Sequence, residues 1–381
     1  MFILLVVLVC FFPYWFTREG DPDLCFKGTG EIGDTIGGIM GPFVAIIAAF
    51  LTFIAFLIQY DANELQKKEL ERQKKLHQRD SFEQKLYKML DDYKDNARRL
   101  TAGELRGKDA VQELLGELSY IFSCVHLIMM DIAKTKQLTA TSNNSGKALE
   151  YLAEMSGDPK ELLKYQMLLS YYLFYFGMPY ITMENLNAGK MALEIEIAER
   201  IKKIPFTKSS RSYRNYLYDE KLHTSNIPTQ VNASYRLMQG HNDQLGVYFR
   251  QLYQIVIFIA RADNDVFTEK DKYAYAKLLR SNMSDSEQIL LFYNSLSEMG
   301  ENWNQRPENA QSRREDLGLI ARFKLIKNIP ANFPFFGVSP AGYYNEEKEV
   351  WKEVSKEDRF FEHQTFMLNG NSVISGKFVT R

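Results

Sequence analysis

The chain has 381 residues with 47 Lys and Arg against 48 Asp and Glu, a formal net charge of −1. That balance gives no global electrostatic pull toward nucleic acid, and three cysteines, Cys10, Cys25 and Cys124, at unrelated spacings write neither a disulfide framework nor a zinc site. The length suits one large domain or two small ones, with ample chain to bury a core.

Met1 to Phe16, MFILLVVLVCFFPYWF, carries no charge but contains Pro13. It has no basic start and no small-x-small cleavage site, so it reads as a signal anchor rather than a removable signal peptide. The loop that follows is acidic, with Arg18 and Lys27 against Glu19, Asp21, Asp23, Glu31 and Asp34. Within it, Gly28, Gly30 and Gly33 stand in G-x-G-x-x-G order, yet no buried strand precedes them and no amphipathic helix follows, so they do not form a dinucleotide loop. Thr35 to Tyr60 is uncharged and long enough to span a hydrocarbon layer of roughly 30 Å. The expected architecture therefore begins with a two-helix membrane hairpin over 1–60. Gly33, Gly37 and Gly41 fall four apart, the small-xxx-small spacing that lets membrane helices pack closely.

Lys67, Lys68, Arg72, Lys74, Lys75 and Arg79 follow the second apolar segment directly. Basic flanks stay cytoplasmic, so the large C-terminal part is expected in the cytoplasm. Residues 61–105 read as a helical stalk that continues the membrane helix, with Leu76, Phe82, Leu86, Leu90 and Tyr93 as a core-facing or partner-facing stripe. Its upper half, Glu64 to Lys75, is too polar for a firm coiled coil, and its basic run sits where anionic lipid could be touched.

From 106 to 381 the pattern predicts a mainly α-helical domain, with helices at about 107–133, 146–156, 159–177, 185–203, 231–262, 270–281 and 284–299. The run LLKYQMLLSYYLFYF at 162–176 has too short an apolar stretch to span a bilayer and suits a core helix. At the C-terminus FMLNGNSVISGKFV reads as a small hairpin turned by Asn369 and Gly370.

The run EIGDTIGGIMGPFVAIIAAFLTFIAFLIQYDAN, with its Gly-Gly pair, Gly41-Pro42 and closing AF-x-x-Q-x-x-AN, resembles the N-terminus of AbiC-like phage abortive infection proteins. HNDQLGVYFRQLYQIVIFI (241–259) and LLRSNMSDSEQILLFYNSLSEMG (278–300) resemble the same family's later signatures, with Val247 where a His is usual. The resemblance implies a membrane-anchored bacterial defence protein and brings no established catalytic residue. Its motif core is Leu245, Gly246, Tyr248, Phe249, Arg250, Tyr253, Glu287, Phe292, Tyr293 and Asn294. Implied partners are membrane lipid, a second copy of the chain, and a phage component or co-encoded defence protein; no cofactor or metal is implied.

Read from the residues alone, the helix through 241–260 is apolar on nearly every side and is expected to be central and buried. Arg250 there calls for an acidic partner, with Glu287 or Asp285 as candidates, while Ser284 and Glu287 form an S-x-x-E capping box. Arg236 and His241 stand at R-x4-H spacing, which resembles the motif of HEPN ribonucleases, where both side chains share one helix face. A membrane-anchored ribonuclease using this pair is the rival function. Lys208, Arg211, Arg214 and Lys221 interleaved with Tyr213, Tyr216 and Tyr218 could hold phosphates and stack bases, although a solvated loop accounts for them as well.

Overall fold

The computed structural model describes residues 30–138, 145–177, 188–214, 227, 230–307, 313–329, 336–344, 360–361, 366–368 and 371–373. The protein is mainly α-helical, with short two-stranded sheets. It divides into two compact units, Met1–Arg79 and Asp80–Arg381. The expected first membrane helix, residues 1–16, lies outside the described residues.

Helix α1 runs unbroken over Gly30–Arg99, with Pro42 inside it. In the first unit nearly all its large apolar side chains from Val44 to Tyr60 are exposed, among them Phe50, Phe56 and Ile58, with Ile54 half-buried. The helix from Val44 is long and apolar enough to cross a membrane by length and composition. A Cβ added at Gly33, Gly37 or Gly41 meets nothing within 4 Å. Beyond Tyr60 the helix stays exposed and is supported by local pairs, Glu64 with Lys68 at 2.8 Å and Glu69 with Arg72 at 2.9 Å. The apolar segment and the polar stretch after it thus lie on one helix, which runs to Arg99.

The second unit opens with the end of α1, whose Leu86, Leu90 and Tyr93 are buried while Phe82 stacks on Phe258 at 4.6 Å. Leu76, expected on that stripe, is 48% exposed. At about 100° per residue it lies a quarter-turn from the Leu86–Leu90–Tyr93 line. A tight hairpin, β1 (Thr101–Ala102) with β2 (Leu105–Arg106), then turns the chain into α2, Gly107–Thr135. This helix also passes a membrane test by composition, but 78% of its most apolar window is buried inside the protein. It is the central core helix.

Around α2 pack α3 (Ser145–Ser156), α4 (Pro159–Phe176), α5 (Ala188–Lys203) and α8 (Asp285–Ser295). The α4 helix is the 162–176 run expected as core; Asp158 caps its start by accepting the Lys160 N–H at 2.9 Å, Pro159 occupies its first turn, and Gly177 ends it at φ 75°. Helices α6 (Asn242–Ala260) and α7 (Glu269–Arg280) pack together, and α7 meets α9 (Leu319–Phe323). Capping boxes start both α7 (Thr268 with Asp271) and α8 (Ser284 with Glu287), the second as the S-x-x-E spacing requires.

One expected helix is corrected. Residues 231–241 do not extend α6 backwards: Val231–Ala233 is a strand, β4, paired in parallel with β3, Phe206–Lys208. Met238 at φ 59° and Gly240 at φ 83° break any helical path before His241, which is the N-cap of α6. A short helix α10, Pro340–Tyr343, follows, and the C-terminal hairpin forms as β5 (Phe366–Leu368) antiparallel to β6 (Asn371–Val373), Leu368 opposite Asn371.

Candidate functional site

The most concentrated polar chemistry is built on α2. Glu113 and Glu117 stand one turn apart in the stretch VQELLGELSYIF, so both face the same side, and both are fully buried. Each serves a segment that lacks the backbone pairing of a helix or sheet. Glu113 accepts the N–H of Tyr213 at 2.9 Å, the N–H of Arg214 at 3.2 Å, the Ser234 hydroxyl at 3.3 Å and the Ser212 hydroxyl. Glu117 accepts the Tyr235 hydroxyl at 2.8 Å and the Met238 N–H at 3.1 Å, and lies 2.7 Å from Nε2 of His241. Burial, and then the charge of Glu117, push the Tyr235 hydroxyl well above the usual phenol range.

His241 is held from every side. Its N–H donates to the Tyr175 carbonyl at 2.8 Å, its ring packs 4.9 Å from Phe174, and its side chain is 7% exposed. The backbones of Gly177 and Gly240 cross so closely that a Cβ on Gly177 would sit 2.6 Å from the Met238 carbonyl oxygen. Arg236 points elsewhere, donating from Nη2 to the Lys202 carbonyl at 2.9 Å, in the last turn of α5. It lines a shallow cleft with Ile201, Lys202, Phe206 and Met238.

The R-x4-H reading is thereby corrected. Neither Arg236 nor His241 lies within a helix, because Met238 and Gly240 adopt positive φ between them, so no shared helix face presents both to a phosphate. Their partners show separate structural tasks, a C-terminal helix contact for Arg236 and a buried carboxylate pair for His241. Tyr213 is also removed from the base-stacking set: it is fully buried and donates its hydroxyl to the Tyr235 carbonyl at 2.7 Å. Tyr216, Tyr218 and Lys221 lie outside the described residues. Among the described residues no group of three or more His, Cys, Asp or Glu side chains is placed to hold a metal ion.

A third buried carboxylate, Glu287, joins three helices. Oε2 of Glu287 accepts the Ser284 N–H at 2.6 Å and hydroxyl at 2.7 Å, while Oε1 accepts Tyr248 at 2.9 Å and Tyr93 at 3.3 Å. The two tyrosine oxygens are themselves 2.8 Å apart. Burial pushes both phenols well above their ordinary range; for Tyr93 the Glu287 charge adds to it, and for Tyr248 the neighbouring tyrosine does so before Glu287. The start of β1 is stitched to α6 through Gln244, which accepts the Thr101 N–H at 2.9 Å and donates to its carbonyl at 2.8 Å.

The other motif residues divide by face. Leu245 and Phe249 are buried, as are Phe292, Tyr293 and Asn294; Tyr293 donates to the Phe336 carbonyl at 2.9 Å, and Asn294 donates to the Tyr171 hydroxyl at 2.8 Å. Gly246 approaches the Tyr175 hydroxyl, and Tyr253 meets Trp303 edge-on at 5.1 Å. Arg250 is exposed, which overturns its expected burial: Asp243, Val247, Arg250 and Gln254 form a solvent stripe along α6, so the helix is buried on its remaining sides only. Glu287 satisfies tyrosines and a helix start instead of an arginine.

The sequence reading missed Glu113 and Glu117, the anchors of the largest network. Two glutamates one turn apart inside an otherwise apolar helix were the available signal, since buried carboxylates require partners.

These features define a helical protein whose buried polar groups fasten chain segments together, attached to an exposed apolar helix. Residues 240–334, from the N-cap of α6 past α9, match the model of the family described as "Putative phage abortive infection protein", which associates this segment with abortive infection. No curated protein and no solved structure matches the chain.

Proposed function

We propose that this chain is an anti-phage protein of the abortive-infection kind, anchored in the bacterial inner membrane, whose cytoplasmic unit senses infection and acts on the bilayer through α1. The observation that carries the reading is the family match at 240–334 in a chain that also bears an exposed apolar helix. That helix continues without a break to Arg99, and Tyr93 near its end joins the Glu287 network of the matched segment. Along this continuous helix a rotation or separation of domains reaches the membrane. The trigger in this scheme is a phage component or a co-encoded defence protein, and no catalytic step is assigned.

The topology is testable by labelling intact cells with an impermeant thiol reagent. Cys124 is useless for this purpose, being fully buried with its thiol pushed up to about 12 by burial. A cysteine at exposed Lys277 serves instead. Cys25 is expected to be labelled and Lys277→Cys spared until the cells are opened. Labelling of Lys277→Cys in intact cells would reverse the orientation.

Coupling is tested at the glycines. Gly37→Leu and Gly41→Leu keep length and apolarity, and each added side chain starts in open space within the chain, so insertion and abundance are expected to hold. Protection in plaque assays is expected to fall by about tenfold or more, together with any phage-induced loss of membrane potential, because a bulky residue abolishes close helix association. The same change at Ala48 or Ala49 is expected to be milder. Full protection by both glycine variants would reduce α1 to an anchor.

A further inference from the structure

The sheet of β3 and β4 leaves one of its edges open. Val231 donates to the Pro205 carbonyl at 2.8 Å and Ser209 donates to the Ala233 carbonyl at 2.9 Å, with Phe206, Thr207 and Lys208 opposite Val231, Asn232 and Ala233. Backbone polar groups of a strand turn to alternate edges, so Pro205, Thr207 and Ser209 face β4, while Phe206 and Lys208 point their N–H and C=O groups the other way. Among the described residues those outward groups meet no hydrogen-bonding partner, and Thr207 and Lys208 are exposed.

The charges around this edge are of one sign. Residues 201–214 and 230–241 carry Lys202, Lys203, Lys208, Arg211, Arg214 and Arg236 and no Asp or Glu, and all but Lys202 of these cations are exposed. Glu199 approaches Lys202, and Asp109 approaches Arg214, only to 3.9 Å on exposed side chains, pairs that contribute little. Glu113 reaches the loop from α2, but its oxygens are taken up by the Tyr213 and Arg214 N–H groups and by two serine hydroxyls. Phe206 and Lys208 share one face of the strand, and on it Phe206 and its register partner Val231 line the cleft with Ile201, Leu237 and Arg236. A lysine on an edge strand guards against pairing with a second copy, whose edge is equally cationic. The same charge admits a strand that brings carboxylates.

We propose that the outer edge of β3 docks an extended acidic segment of another protein, which adds as a third strand with its main chain bonded to Phe206 and Lys208, its carboxylates against the surrounding cations and an apolar side chain over the cleft. The proposal rests on the abortive-infection reading only for the source of that segment: the phage component or co-encoded protein that serves as trigger is acidic and extended where it binds.

The test follows the fluorescence anisotropy of a short labelled peptide of alternating valine and glutamate, added to the detergent-solubilised full-length protein. Lys203→Gln combined with Lys208→Gln changes exposed side chains only, and is expected to weaken binding about fivefold or more. Two further peptides carry N-methyl groups on alternate amides, one on each set. Only one set faces β3 in an added strand, so one methylated peptide is expected to lose about tenfold or more in affinity while the other binds as the parent does. Equal binding of the two methylated peptides, no effect of the double substitution, or no binding of the parent peptide would overturn the proposal. So would an oligouridylate of equal charge that displaces the peptide and binds more tightly, which assigns the cations to nucleic acid. Plaque assays on the double variant keep the two readings apart: full protection by a protein that no longer binds the peptide defeats the link to phage sensing and leaves the docking edge standing, whereas unchanged binding defeats the edge itself.

Discussion

Glu117→Ala is expected to destabilise the second unit by about 3–5 kcal/mol, the cost of breaking a buried pair and leaving its partners without an acceptor. Three donors lose their oxygen at once: the Tyr235 hydroxyl, the Met238 N–H and Nε2 of His241. None can turn to water, because Tyr235, Met238 and His241 are each less than 10% exposed. Glu117→Gln keeps an acceptor oxygen and can offer an N–H to the imidazole, so it is expected to recover about half of the loss. Urea unfolding of the detergent-solubilised protein, followed by tryptophan fluorescence, checks both. An alanine variant as stable as the parent would show that the 231–241 segment is held by packing and not by this carboxylate.

The second large effect comes from a substitution that ordinarily stabilises. Glycine within a helix costs about 1 kcal/mol relative to alanine, so Gly116→Ala in α2 should help on propensity alone. Here a Cβ would stand 2.5 Å from both the carbonyl carbon and oxygen of Tyr213, and 2.7 Å from the Arg214 nitrogen. Those are backbone atoms, and the same stretch is fixed by Glu113, which takes the N–H groups of Tyr213 and Arg214. The loop cannot retreat without breaking both bonds, so the expected outcome is a net loss of about 2–3 kcal/mol. Gly146→Ala in the first turn of α3, where a Cβ meets nothing within 4 Å, is the control and should leave stability unchanged or raise it by up to about 1 kcal/mol. If both variants behave alike, the close approach of α2 to the 212–214 loop is not a constraint.

The legible and illegible parts of this protein separate along a physical line. Periodicity located α2, α4, α7 and α8 to within a few residues, because an apolar face with a capping residue and a polar break is a local property. The stalk and the C-terminal hairpin were readable for the same reason. The R-x4-H pair misled because its spacing has meaning only on a helix, and Met238, a non-glycine residue at φ 59°, leaves no compositional mark of the break. Arg250 misled in the opposite way: Leu245, Tyr248, Leu252, Ile255 and Ile259 on one face, with Gly246, Tyr253 and Ile257 beside Arg250 on another, made α6 look buried on nearly every side, while Asp243, Val247, Arg250 and Gln254 trace a narrow open edge. The carboxylate anchors were hidden for a third reason. Glu113 and Glu117 take their partners from residues about a hundred positions away, and which backbone donors arrive there is settled only by the tertiary fold.

The apolarity of α2 poses a problem for the cell before folding begins. The 29-residue α2 has a mean hydropathy of 1.4 over its most apolar stretch, against 2.0 for the helix from Val44, so composition alone would admit both to a bilayer. Acidic and basic residues near the middle of a segment oppose partitioning by about 2.5–3.5 kcal/mol each on insertion scales. Glu113, Glu117 and Asp131 set α2 apart from the uncharged segment that ends at Tyr60, and 78% of its most apolar stretch is covered by the protein itself.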